Sequence, residues 1–189
     1  MEKFDTQNKV IFGFWVYLMT DLIMFAVLFA TFAVLRGNTY GGLPLSSLFS
    51  LPLVLKETLI LLTSSFTCGL SLLAVNHENT KQTIGWLLVT FGLGVSFLVL
   101  ELSEFSHLIA EGHSFQTNAA LSSYFSLVGT HGLHIAVGLL WLLVALIQIW
   151  VKGLSPHIAS KLTRFSLFWH FLDVIWIFIF TIVYLVPLK

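Results

Sequence analysis

The chain has 189 residues, of which 57% are hydrophobic and only 10% are charged, and its mean hydropathy is +0.93. Soluble domains carry about 25% charged residues, so this composition excludes a soluble globular protein and indicates an integral membrane protein. The formal net charge of zero provides no basic face for nucleic acid, and the single cysteine, Cys68, excludes an intramolecular disulfide framework and a cysteine-held metal cluster.

Five apolar segments are long enough to cross a membrane, which takes about 20 helical residues. In chain order they are Val10 to Leu35, Leu55 to Val75, Ile84 to Leu108, Ser122 to Val151 and Phe165 to Val186. These runs are too long and continuous for barrel strands, and helices satisfy their backbone in lipid. We predict an all-α bundle of five transmembrane helices in a single domain, residues 1–189. We expect no cleaved signal peptide, because no small-residue cleavage pattern follows the first segment.

Positive charges are unequally distributed between the two sides of the predicted bundle. Three of the Lys and Arg residues fall on one side, namely Arg36, Lys56 and Lys189. Six fall on the other, namely Lys3, Lys9, Lys81, Lys152, Lys161 and Arg164. Because cytoplasmic segments are enriched in Lys and Arg, we predict a cytoplasmic N-terminus and, after five spans, a periplasmic C-terminus.

Pairs of small residues four positions apart occur in several segments. They are Ala26 and Ala30, Ser65 and Gly69, Gly92 and Ser96, and Gly132 and Ala136. Such pairs let helix backbones approach closely, so they predict a packed bundle. They are common in membrane helices and identify no partner.

Ionisable side chains inside the apolar segments are the functional candidates, because hydrocarbon does not solvate charge. We single out four acids and four histidines: Asp21, Glu101, Glu104, Asp173, His107, His131, His134 and His170. We expect no catalytic residue in this chain. Their spacing divides them into three groups.

The third segment carries the first group. Glu101, Glu104 and His107 follow each other at three-residue steps, so we predict one cluster on one helical face near the outer end. Glu104 and His107 also form a Glu-x-x-His pair, which binds di-iron in four-helix bundles when two copies combine with two further glutamates. One copy is present. A polar network, a lipid headgroup contact or a subunit interface is therefore favoured over a metal.

The second group joins the first and fourth segments. His131 and His134 lie about 14 Å from the outer end of the fourth segment, and Asp21 lies about 16 Å from the inner end of the first. This matching depth predicts that the acid pairs with a histidine. Two histidines are also potential haem or copper ligands, but one helix cannot present ligands to both faces of a haem. Hydrogen bonds across helices are the favoured interpretation.

The third group is in the last segment, where Asp173 follows His170 by three residues, about 10 Å from the inner end. The two are expected to pair with each other or with a neighbouring helix. A carboxylate at this depth is expected to be neutral or paired. The three groups lie at different depths, so they predict no continuous proton pathway.

Four blocks of sequence resemble subunit III of the haem-copper respiratory oxidases. They are Phe14-Trp15 with Thr20-Asp21, Glu101-Leu102-Ser103-Glu104-Phe105, Gly129-Thr130-His131-Gly132-Leu133-His134, and Phe168-Trp169-His170-Phe171-Leu172-Asp173-Val174-Ile175-Trp176. The blocks occur in the family's order and extend over nearly the whole chain. Members in mitochondria have seven spans, whereas this chain is similar to the five-span form of bacterial quinol oxidases of the cytochrome o type. Asp21 stands where the longer members have a glutamate.

The resemblance implies a subunit of a proton-pumping terminal oxidase that passes electrons from quinol to oxygen in a bacterial inner membrane. Its implied partners are the catalytic subunit I, subunit II, a small subunit IV and bound phospholipid. Haem and copper are implied in the catalytic subunit, and this chain is expected to hold no cofactor and no metal. Its implied role is to stabilise the catalytic subunit and to support proton uptake through the region from Asp21 to His131.

Two other interpretations compete with this one. A subunit III of a cytochrome c oxidase has the same implied fold, and no electron-donor site in this chain distinguishes the two. A small proton-coupled transporter would also place acids and histidines in the membrane. The chain lacks the internal repeat and the broken helices that are typical of a transporter core. A membrane di-iron or haem enzyme is limited by the number of ligands.

Overall fold

The computed structural model describes residues 2–38, 51–112 and 116–186. Within them lie five long helices: α1 Glu2–Leu35, α2 Leu51–Asn76, α3 Thr80–Ala110, α4 Ala119–Lys152 and α5 Pro156–Ile179, which continues as a π-helical segment, Phe180–Leu185. All five are long and apolar enough to cross a membrane. The predicted all-α bundle of five transmembrane helices is confirmed. Lys189, one of the charges used to predict the orientation, lies outside the described residues.

Polar caps set several helix ends. The side chains of Asn79 and Asn118 accept hydrogen bonds from backbone N–H groups in the first turns of α3 and α4, and Ser155 does the same for α5. These bonds satisfy N–H groups that the first turn of a helix leaves without an internal partner. Gly153 ends α4 with a φ of 71°, a conformation that glycine adopts without strain.

The fifth helix begins nine residues before the predicted start at residue 165. Pro156 occupies the first turn of α5, and the residues between it and the apolar run include several polar ones. Because hydropathy identifies only the apolar run, it does not predict these first residues as helix. Asp173 therefore lies about 26 Å from the start of α5 rather than about 10 Å. It is close to the middle of the helix.

Helices α2, α3, α4 and α5 form the core of the bundle, with α2 against α3 and α5, and α4 against α3 and α5. Helix α1 packs mainly on α4 and touches α5. Its buried residues among positions 9–38 form one narrow stripe: Leu18, Asp21, Phe25 and Phe32. Asp21 therefore lies on the only face of this part of α1 that meets the bundle.

Trp169 lies at the centre of the core and is 1% exposed. Its indole Nε1–H donates to the Ser64 hydroxyl at 3.1 Å. A Cβ at Gly138 of α4 would lie 2.9 Å from the indole, and one at Gly94 of α3 would lie 3.0 Å from it. Both glycines therefore let the backbones of α3 and α4 approach the ring, as small residues do between membrane helices.

Candidate functional site: three buried polar groups

Glu101 is the buried member of the third-segment group, and it is 2% exposed. Its carboxyl lies against the backbone of Gly132 in α4, where an added Cβ would be 2.9 Å from both carboxyl oxygens. Because Gly132 has no side chain, it leaves space on α4 that the Glu101 carboxyl of α3 occupies. Glu104 is half-buried one turn nearer the end of α3.

Glu57 of α2 also belongs to this cluster, although it is not among the predicted site residues. Its side chain is fully buried, and it interacts electrostatically with Glu101 and Glu104. The missed signal was its helical spacing. Glu57 lies on the same stripe as buried residues at positions 54, 61, 64 and 68, so the period of α2 directs it inward.

Two tyrosines lie at the same end of the bundle as the three glutamates, Tyr124 in the second turn of α4 and Tyr184 in the π-helical segment that follows α5. The hydroxyls of Tyr124 and Tyr184 share a buried hydrogen bond of 2.9 Å, and both rings interact electrostatically with the carboxyls. The four carboxyl oxygens of Glu57 and Glu101 are buried and have no hydrogen-bond partner among the described residues. Burying unpaired charge is costly, so such carboxyls are neutral and hold their protons.

His107 does not join this cluster, contrary to the prediction. Its side chain is 73% exposed, and its Nδ1 lies 3.6 Å from a carboxyl oxygen of Glu111, one turn along α3. The reason is geometric. Each three-residue step falls about 60° short of a full turn, so two steps separate His107 from Glu101 by about 120° around the helix. Of the three predicted residues, only Glu101 and Glu104 face Glu57.

Asp21 pairs with His134 rather than with His131. The His134 Nε2 lies 4.0 Å from Asp21 Oδ2, and both side chains are largely buried between α1 and α4. The other ring nitrogen, Nδ1, donates to the backbone carbonyl of Thr130 at 2.7 Å. Tyr17, one turn before Asp21 on α1, interacts electrostatically with the same carboxyl. Of the two fourth-segment histidines, His134 is therefore the one beside this acid, at a separation longer than a hydrogen bond, and Asp21 Oδ2 has no hydrogen-bond partner among the described residues.

His131 faces a different helix. It is fully buried, and its Nε2 donates to the backbone carbonyl of Leu172 in α5 at 3.2 Å. Phe97 and Trp176 pack on its ring, with centroid distances of 6.0 and 5.2 Å. Its Nδ1 has no hydrogen-bond partner in the part of the chain that the structure describes. This histidine therefore connects α4 to α5 within an aromatic layer.

His170 and Asp173 meet at Ser65 of α2. His170 Nδ1 and the Ser65 hydroxyl share a hydrogen bond of 2.6 Å, and the Asp173 carboxyl lies near both side chains. The prediction left open whether the two residues pair with each other or with a neighbouring helix. They interact electrostatically and also bind α2.

The polar side chains thus form three separate groups, with different partners. Among residues 2–38, 51–112 and 116–186, no group of three or more His, Cys, Asp or Glu side chains has the geometry of a metal site. Asp21 with His134 and the trio of glutamates are both arrangements that can hold protons inside the bundle. His131 and the group at Ser65 connect helices.

Comparison with known proteins gives consistent matches over nearly the whole chain. Residues 2–187 match the family model described as cytochrome c oxidase subunit III. The chain is 52% identical to the cytochrome bo(3) ubiquinol oxidase subunit 3 of Pseudomonas aeruginosa, over 96% of this chain and 87% of that protein. It is 48% identical to the Pseudomonas putida protein of the same name over the same shares, and 45% identical to the quinol oxidase subunit 3 of Bacillus spizizenii, over 97% and 90%.

Proposed function

Because the chain belongs to the cytochrome c oxidase subunit III family, we propose that it is the third subunit of a quinol oxidase of the cytochrome o type in an aerobic respiratory chain. The observation that carries this proposal is its identity of 45 to 52% with quinol oxidase subunits over nearly their full length. The chain is a multi-pass protein of a bacterial inner membrane.

The names of these relatives favour quinol over cytochrome c as the electron donor of the complex. The family model carries the name of cytochrome c oxidase. The relatives that match nearly the whole chain are instead named as subunits of quinol oxidases. In the proposed complex, electrons pass from quinol to oxygen in the catalytic subunit. This subunit contributes helices and buried protonatable groups.

The chain is proposed to hold no haem and no copper, which belong to the catalytic subunit. The orientation of its two neighbouring histidines supports this. His131 directs Nε2 to a carbonyl of α5, whereas His134 directs Nε2 to Asp21 of α1. Two ligands on one metal would have to converge, and these two nitrogens turn to different helices.

The chain is proposed to support proton uptake through Asp21 and His134. The pair lies near the middle of α1 and α4, because Asp21 is about 21 Å from the end of α1 at Leu35. An acid next to an imidazole accepts and returns a proton with little rearrangement, and intramembrane acids and histidines are typical of proton relays. The glutamate trio, at a different depth, is a second place where protons are held.

Its second proposed role is to stabilise the catalytic subunit through helix packing. The proposed neighbours are subunits I and II, a small subunit IV and bound phospholipid. Many large apolar side chains are exposed on the outside of the bundle, as expected of a surface that lipid and other subunits cover. The N-terminus is proposed to lie in the cytoplasm, from the unequal distribution of Lys and Arg.

The two roles are tested by comparing the oxidase with and without this chain. We expect membranes that lack it to contain less assembled oxidase, and the remaining enzyme to lose its haem spectrum at a lower temperature. We also expect slower proton uptake per turnover. Oxidase that assembles in full, resists heat equally and takes up protons at the same rate without the chain would contradict both roles.

A further inference from the structure

His170 is an exposed, ionisable side chain at mid-membrane. It lies about 21 Å from the start of α5 at Pro156, and about 23 Å before the end of the helical segment at Leu185. Its ring is exposed on the outside of the five-helix bundle, whereas its Nδ1 is bound to Ser65. Hydrocarbon does not solvate a polar ring, and lipid headgroups lie at the two ends of these helices.

Asp173, one turn further along α5, shows that the hydrogen bonding here is incomplete. The residue is 8% exposed, and its Oδ1 is buried with no hydrogen-bond partner in the described ranges of the chain. The nearby Ser65 hydroxyl is engaged by His170 Nδ1 at 2.6 Å. Because this oxygen of Asp173 is buried inside the bundle, a neighbouring helix cannot reach it, and the polar group that this surface presents to a partner is the exposed ring of His170.

The surface of α2 next to His170 has open space at Gly69, which allows another helix to pack closely. Gly69 lies one turn from Ser65, and a Cβ built there would meet no atom of the described chain within 4 Å, apart from its own helix backbone. Phe66, between them, is 66% exposed. Small residues four positions apart allow a second helix to approach the backbone closely. On α5, exposed Val174 extends the same surface.

We propose that this α2–α5 face, formed by Ser65, Phe66, Gly69, His170, Asp173 and Val174, binds a transmembrane helix of another oxidase subunit, and that a polar side chain of that helix hydrogen-bonds to the exposed ring of His170. The identity of that partner as an oxidase subunit rests on the proposed function. Lipid tails carry no hydrogen-bonding group and would leave the exposed part of the His170 ring without a partner. A polar side chain on a packed helix provides that partner at the required depth.

Photo-crosslinking in the whole oxidase tests which neighbour covers this face. A benzophenone amino acid at Phe66 is compared with one at Leu140 on α4, a matched position that is 63% exposed. We expect Phe66 to form an adduct with another subunit, and Leu140 to form adducts with lipid. Lipid adducts alone at Phe66, or equal protein adducts at both positions, would overturn the proposal. If the oxidase copurifies while Phe66 labels only lipid, the docking face is refuted and the proposed function stands.

A second measurement tests the polar contact itself. His170→Leu is compared with His157→Leu, which changes an exposed histidine in the first turn of the same helix. A hydrogen bond between membrane helices changes association by about 3- to 30-fold. We expect His170→Leu to increase loss of the chain from the detergent-washed complex by that factor, and His157→Leu to have no effect. Equal retention of both variants, each inserted at the wild-type level, would overturn the proposal.

Discussion

Replacing Gly138 with alanine should destabilise the bundle, because the added methyl group collides with a ring that has nowhere to move. The new Cβ would lie 2.9 Å from Trp169 Cζ3 and 3.2 Å from Phe168 Cε1. Ordinary carbon contacts are about 3.5 to 4.0 Å, so the overlap is at least about 0.6 Å. A Cβ at Gly94 of α3 would lie 3.0 Å from another part of the same indole, and the indole N–H donates to the Ser64 hydroxyl.

The expected magnitude follows from two opposing terms. Overpacking a well-filled core costs about 1 to 3 kcal/mol. Alanine is favoured over glycine within a helix by about 1 kcal/mol. Gly129→Ala, on the same helix, is the matched control, because its Cβ would meet only Phe105 Cε2, at an ordinary 3.8 Å. We therefore expect Gly138→Ala to be less stable than Gly129→Ala by about 1 to 3 kcal/mol.

The free energy of unfolding is measured by titrating the purified chain with dodecyl sulfate and following its tryptophan fluorescence. A second matched pair on α3 repeats the test. The Cβ of Gly94→Ala would lie 2.8 Å from Leu139 Cδ2 and 3.0 Å from the indole, whereas that of Gly92→Ala would meet nothing within 4 Å in the described chain outside its own helix backbone. Equal stabilities within each pair would refute the reasoning, because they would show that the indole is free to move.

Three further predictions concern the buried polar groups. Ser64→Ala removes the acceptor of the Trp169 Nε1–H, so we expect the free energy of unfolding, measured by thermal unfolding, to fall by about 1 to 3 kcal/mol. An unchanged stability would mean that water replaces the hydroxyl. Glu101→Gln keeps the shape of a neutral carboxyl, so we expect the same melting temperature within error; a large fall would show that the carboxyl is charged. We expect Asp21→Asn to leave His134 in place and the complex assembled, and to reduce the rate of proton uptake measured by stopped flow with a pH dye. An unchanged rate would contradict the proposed relay.

Hydropathy predicts the five helices because a run of about 20 apolar residues has only one stable form in lipid. It does not predict where helices end outside the hydrocarbon. Helix α5 begins with polar residues that Ser155 caps, so its first nine residues were missed although the sequence contained the cap and Pro156. Local hydrogen bonding, rather than hydropathy, determines such ends.

The polar groups were identified more reliably than their partners. Depth along each helix follows from the sequence, so the pairing of Asp21 with a fourth-segment histidine was predicted. Whether His131 or His134 supplies it depends on how α4 is rotated against α1, which depth does not specify. Glu57 was missed because it lies near the start of α2 next to Lys56, although its helical period directs it inward.

Copurification tests the proposed function most directly. The oxidase is purified through a tag on this chain, its haem spectrum is recorded, and quinol-dependent oxygen consumption is assayed. We predict that haem and quinol oxidase activity accompany the chain, and that the chain isolated from its partners shows neither. A chain that purifies alone and carries protons or a solute across liposomes would contradict its assignment to a quinol oxidase.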